Sequence, residues 1–230
     1  MAQTTLDQRM LGVGTALTDH TITASDVITF ADVGDSNLTK KDTVQGVLDL
    51  AGGGAWNIIS TVVPDDSSTV EFTSNINSTY NDYVIRYAFL PATDNVELQI
   101  EIYTNSAWQT SNYQWIDAKI QTSAGAWSIN RSDSGDSAMD IAASPGIGNA
   151  STEGIQGHVY FTDPASTSKH TMFQGTATYW DNSGGYSRLD LTTYAGGYNG
   201  GTTAVTGVRF KMSSGNVTSG RATLYGLAYQ

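Results

Sequence analysis

The sequence predicts a mostly β protein: an antiparallel β-sandwich or jelly roll preceded by a short N-terminal strand–helix segment. Three observations carry this. From Trp56 onward, apolar residues recur in short runs with the two-residue period of strands. Polar, glycine-containing turns separate about ten such runs, the spacing of sandwiches and jelly rolls. The chain has 230 residues and no cysteine, and a chain of that length hides roughly 70% of its unfolded surface without covalent staples.

The elements follow in order. Thr21–Thr23 and Val27–Phe30 are β-branched and read as strands, and Asp32–Asn37 is turn-rich. Asp42 with Gln45 three residues on forms a capping box, and Val44, Val47 and Leu48 share one apolar face. A helix is therefore expected from Asp42 to Leu50, ended by Gly52-Gly53-Gly54. About two turns of helix are not stable alone, so Val44, Val47 and Leu48 are assigned to oligomerisation. The expected organisation is an anchoring and trimerising segment over 1–50, a glycine-rich linker over 51–55 and a β-sandwich over 56–230.

Within that sandwich, strands are expected at Trp56–Val63, Thr69–Phe72, Tyr83–Leu90, Val96–Tyr103, Tyr113–Gln121, Trp127–Asn130, Gly157–Phe161, His170–Trp180, Tyr186–Tyr194, Val205–Lys211 and Ala222–Tyr229. Val96–Tyr103 alternates strictly, so Glu97 and Glu101 are expected on a solvated face. Ser132–Gly154 reads as a long polar loop. Trp56, Trp115 and Trp127 are expected in the core.

Charge narrows the function. The net charge is −11 and only 14% of residues are charged. Too few cations are available to displace phosphate counterions or to bind anionic lipid, which excludes nucleic-acid and membrane partners. No apolar stretch approaches the ~18 residues that span a bilayer, and MAQTTLDQRMLGVG lacks the form of a secretory signal.

Catalytic motifs fail on inspection. Gly34-Asp35-Ser36 and Gly135-Asp136-Ser137 match the nucleophile block of Gly-Asp-Ser esterases, but the residues three before His20, His158 and His170 are Leu17, Ile155 and Thr167, not acids. With three scattered histidines and no cysteine, no metal site is expected, and Asp133–Asp136 and Asp181–Gly184 lack calcium-loop spacing. Carboxylate pairs for sugar hydrolysis, such as Glu97 with Glu101 or Asp117 with an acid on a neighbouring strand, leave no spacing to read. No cofactor and no enzymatic activity are expected. The aromatics are more informative. Trp180, Tyr186, Tyr194 and Tyr198, with Asp181, Asn182 and Asn199, cluster around glycine-rich turns, a composition suited to sugar rings or protein contacts. Glycine pairs on both sides of Tyr198 are expected to form sharp turns and leave its ring exposed at one end of the sandwich.

Three stretches together resemble virion structural proteins of tailed bacteriophages, of the tail-fibre type and the head-fibre or decoration type: DVGDSNLTKKDTVQGVLDLAGGGAW from Asp32, YNDYVIRYAFLPATDNVEL from Tyr80, and the ending VRFKMSSGNVTSGRATLYGLAYQ. The resemblance implies a particle-proximal strand–helix module and an outward β-sandwich, assembled as a homotrimer with other tail or capsid proteins as neighbours. It implies a protein made in the host cytoplasm, released by lysis and carried in the virion. A short fibre in contact with a host-surface glycan is the first expectation. A capsid decoration or head-fibre protein and a stand-alone carbohydrate-binding β-sandwich are the alternatives. Replacing Val44 and Leu48 by Asp is expected to abolish assembly, read by light scattering, while circular dichroism shows 56–230 still folded.

Overall fold

The protein is seen in a computed structural model that describes residues 27–32, 38–43, 56–122, 124–142, 146–181 and 188–227. The chain divides into two units, Met1–Gly53 and Gly54–Gln230. In the first, β1 (Val27–Asp32) pairs antiparallel with β2 (Leu38–Thr43), Val27 opposite Thr43 and Asp32 opposite Leu38. The expected helix start is thereby corrected: Asp42 lies in β2, its backbone paired opposite Ile28, where cross-strand pairing with a β-branched run overrides the local capping signal. Val44, Val47, Leu48 and Thr21–Thr23 lie outside the described residues.

The second unit contains β3 (Trp56–Val62), β4 (Asp65–Ser67), β5 (Val70–Phe72), β6 (Asp82–Pro91), β7 (Leu98–Thr104), β8 (Ala107–Trp108), β9 (Tyr113–Gln121), β10 (Ala124–Asp136), β11 (Met139–Ile141), β12 (Gly154–Thr162), β13 (Met172–Asp181), β14 (Arg188–Tyr198), β15 (Gly207–Met212) and β16 (Val217–Leu227). A nine-stranded sheet runs β10-β9-β14-β13-β12-β6-β16-β3, with β4 also on β16. A five-stranded sheet runs β11-β7-β15-β5, with β8 also on β7. Every pairing is antiparallel.

The inward faces of the two sheets share one core, so the unit is a β-sandwich. Val70, Phe72, Leu98, Ile100, Ile102, Val208 and Phe210 of the small sheet meet Tyr83, Ile85, Tyr87, Phe89, Val159, Phe161, Phe173 and Leu224 of the large one. Two glycines let buried tyrosines of the large sheet lie over the neighbouring strand. A Cβ on Gly157 or Gly175 would collide with the hydroxyl of Tyr87 or Tyr194 respectively. Those hydroxyls lie 3.1 Å apart, and Tyr194 donates to the His158 carbonyl at 2.7 Å. Burial pushes both phenols far above their ordinary pKa, so they stay protonated.

Toward Gln121, Arg188 and Asp181 the inward row of the large sheet turns ionic: Asp117, Lys119, Asp181, Asp190 and Thr192 are buried there. Arg188 pairs with Asp181, Thr192 donates to Asp117, and Gln121 donates to Asp190 at 2.9 Å. Burial pulls the Lys119 ammonium below its usual pKa, against the opposing pull of Asp190, Asp117 and Asp181.

The outward face of the small sheet is closed by its own charges. Register sets Arg209 directly between Glu71 and Glu101, and Lys211 beside Gln99 and Asp140. Arg209 Nε donates to Glu101 at 2.7 Å, and Lys211 Nζ lies 2.7 Å from the other Glu101 oxygen. The guanidinium also sits 4.5 Å from the Trp108 ring centroid. The solvated placement expected for Glu101 is therefore corrected: its side chain is 0% exposed, because two cationic side chains fold over it.

Other expectations are corrected too. Ser132–Gly154 is not one loop: β10 continues to Asp136, β11 follows, and Val96 bridges Ile147. Trp115 is buried, but Trp56 and Trp127 are 43% and 56% exposed. Tyr198 is only 5% exposed, and Tyr194 and Asp181 are buried as well. Of the glycines around Tyr198, Gly196, Gly197 and Gly200 serve close approach, whereas Gly201 takes a positive φ of 152° with open space beside it, as a turn requires. A Cβ on Gly196 would meet the Gln114 carbonyl and the Met139 sulfur, and one on Gly200 would meet the Tyr198 ring itself. The ring packs 5.6 Å from Tyr113 and its hydroxyl donates to Gln109 Oε1 at 3.0 Å.

Tyr198→Ala is expected to destabilise the unit by about 3 kcal/mol, and Tyr198→Phe by about 1 kcal/mol, read from urea unfolding midpoints. A second expectation concerns pH. Burial pushes the Asp140 carboxyl up to about 6, despite a hydrogen bond from Gln99 at 2.8 Å. The folded chain then holds this proton more tightly than the unfolded chain, whose carboxyl titrates near about 4. Relative to Asp140→Asn, the parent should gain stability as pH falls from about 7 to about 4, measured as the difference between their unfolding midpoints.

Candidate functional site

The outward face of the large sheet is built differently from that of the small one. Side chains alternate along each strand, and antiparallel partners share a face, so register defines rows across the sheet. One row runs Arg131, Ile116, Ala195, Gln174, Tyr160, Val84, Tyr225, Ile58. The next runs Ile129, Ala118, Thr193, Thr176, His158, Arg86, Thr223, Thr61. A third runs Ile120, Leu191, Thr178, Gln156, Ala88, Arg221.

These rows explain the relief. Ala118, Ala195, Thr193 and Thr176 are short, and they lie between Ile116 and Arg131 on one side and Tyr160 and His158 on the other. A depression of about 750 Å³ is lined by Ile116, Arg131, Met172, Gln174, Ala195 and Tyr160, among others. Ile116, Tyr160, Gln174 and Ala195 also line a second depression, of about 530 Å³. His158 and Thr176 belong both to that one and to a third, of about 520 Å³, which reaches Arg86 and Arg221. Shared walls thus join three depressions into one track across β9, β14, β13, β12, β6 and β16.

Aromatic rings border the track. Trp56 stands edge-on to Tyr160 at 6.4 Å and to Tyr225 at 5.3 Å, and these rings cover Val84, which register sets between the two tyrosines. His158 packs edge-on to Tyr160 at 5.2 Å. Partial burial, then the Arg86 charge, hold the His158 ring below its usual pKa, so it is neutral at pH 7. Gln156 donates to Thr178 at 3.5 Å, whereas Gln174 and Thr176 present exposed polar groups. At the β10 side the same face exposes Trp127, Ile129, Leu189, Leu191 and Trp180.

The residues singled out from sequence are dispersed by the fold. Trp180 is on this outward face, half-exposed, and Asn199 lines the 750 Å³ depression. Asp181, Tyr194 and Tyr198 point inward. Asn182 and Tyr186 lie outside the described residues. Arg86, Arg221, His158, Tyr160 and Gln174 were not anticipated. Each is an outward position of a strand that is legible locally, but only long-range pairing brings them together. Of the acids considered for sugar hydrolysis, Glu101 and Asp117 are buried, and neither lines the track. No known protein family matches the sequence, and no curated protein or solved structure is similar to it.

Proposed function

We propose that this chain is a non-enzymatic subunit of a tailed-phage-type virion, a short appendage that self-assembles and binds surface carbohydrate through the outward face of its large sheet. The observation that carries the reading is the joined track across six strands, walled by Tyr160, His158, Ile116 and Arg131 and floored by short polar and small side chains. An elongated hollow with exposed amides, hydroxyls and aromatic faces suits a chain of sugar rings, which offers alternating hydroxyl edges and apolar faces.

Assembly is supported by a separate feature. Trp127 and Ile129 are exposed on β10, which ends the large sheet, beside the exposed Leu189 and Leu191 on β14. An apolar edge strand invites pairing or aggregation unless a partner covers it. A stand-alone carbohydrate-binding module would use the same track, and oligomeric state separates the two: light scattering should report a trimer for a virion subunit and a monomer for a module.

The binding reading is tested on a glycan array with the purified protein. Gln174→Ala should weaken capture about tenfold or more with unchanged melting, since its side chain is exposed. Tyr160→Ala should weaken capture as much while lowering the melting temperature, because the ring also covers Val84. A folded parent protein that captures no glycan would overturn the carbohydrate reading.

A further inference from the structure

We infer that the Arg86–Arg221 end of the track takes the carboxylate of an acidic sugar, a choice of substrate class that rests on the carbohydrate reading above. Three observations converge on it.

The first is charge placement. The chain has 22 acidic residues against 11 basic, yet the three central outward rows of the large sheet contain no carboxylate at all. They do contain Arg86, Arg131 and Arg221. Asp133 stands with Arg131 on the wall of the 750 Å³ depression, but no acid lines the Arg86–Arg221 end, where the potential is locally positive and concentrates anions.

The second is the arginine pair. Register sets Arg86 opposite Thr223 and Arg221 opposite Ala88, so the two occupy diagonal positions on the neighbouring strands β6 and β16. Diagonal neighbours sit about 7–8 Å apart, within reach of each other for long side chains. Both are exposed, and neither has an ion-pair partner among the described residues. No acid lines the depression they border. Two like charges at that spacing repel, and a planar oxyanion between them converts repulsion into paired hydrogen bonds. Contrast Arg209, which register places between two glutamates.

The third is what adjoins the pair. His158 lies opposite Arg86, with Tyr160 on its own strand, Thr176 opposite on β13 and Tyr225 on β16. Among the described residues, the formal charges beside the imidazole are Arg86 and its diagonal neighbour Arg221. An arginine pair beside aromatic rings and a neutral imidazole fits a sugar that carries its charge at one edge of the ring. A nucleic acid would need more cations than this face supplies, and free phosphate, which two arginines can also hold, is separated from a carboxylated sugar by the experiment.

The probe is glucuronate, with glucose at the same millimolar concentration as the uncharged control, followed by NMR of the histidine rings. Glucuronate should shift the His158 resonances and raise its titration midpoint, because an anion offsets the Arg86 charge; glucose should not. Arg86→Gln and Arg221→Gln should each weaken glucuronate binding about tenfold while melting stays unchanged. If inorganic phosphate moves His158 as strongly as glucuronate, through the same two arginines, selection of a carboxylated sugar is overturned. Equal response to glucose and glucuronate, or none to glucuronate while neutral glycans are still captured on the array, overturns the inference and leaves the carbohydrate reading standing. An empty array with no glucuronate response overturns the carbohydrate reading and this inference with it.

Discussion

A single apolar layer between two sheets of unequal width is the constraint on which the rest of this unit depends. Because side chains alternate on each strand, burying Tyr83, Ile85, Tyr87 and Phe89 fixes the outward positions of Val84, Arg86 and Ala88 at the same time. A one-residue slip would put Arg86 into the core and Tyr87 into water. The core therefore specifies more than stability; it dictates which side chains stand together on the outside. The glycine–tyrosine exchanges at Gly157 and Gly175 act in the same direction, since each tyrosine hydroxyl fills a space that only glycine on the facing strand leaves open.

The two outward faces handle charge in opposite ways. Eight of the chain's lysines and arginines lie between Gly54 and Gln230: Arg86, Lys119, Arg131, Lys169, Arg188, Arg209, Lys211 and Arg221. Arg209 and Lys211 neutralise Glu101, Arg188 neutralises Asp181, and Lys119 is buried among aspartates. Most of the remaining cations, Arg86, Arg131 and Arg221, stand on the large sheet. The small sheet spends its charges on itself, and a buried carboxylate left without its cations would be strongly destabilising. The outward face of the large sheet leaves Arg86, Arg131 and Arg221 available.

Much of the fold was legible in the sequence. The run Trp56–Val63 stopped by Pro64 located β3 to within one residue, and the expected Tyr113–Gln121 strand coincides with β9. What the sequence did not carry was the identity of neighbours. Glu101 looks solvated when its strand is read alone; it is buried because β15 brings Arg209 and Lys211 over it. Trp56 and Trp127 look like core residues by size, yet they lie on the two strands that end the large sheet's path, on its outward face. Tyr198 looks exposed because glycine usually signals a turn; here glycine admits a ring. The track was illegible for the same reason. Six strands contribute to it, and its residues come from strands distant in sequence, Arg86 and Arg221 above all.

Placing a recognition surface on the flat of a sheet, rather than on its connecting loops, has an evolutionary consequence. Exposed positions in the three rows, such as Gln174, Thr176 and Arg86, can be exchanged while their inward neighbours keep the fold, so affinity can drift by single substitutions on a scaffold that does not loosen. Loop-borne sites vary easily but lose order as they vary. A sheet-borne site varies within a fixed lattice of positions roughly 5 Å apart across strands and about 7 Å apart along them. New preferences on this lattice arise by changing which chemistry occupies each point, and the spacing of the points sets in advance which repeating ligands can be matched.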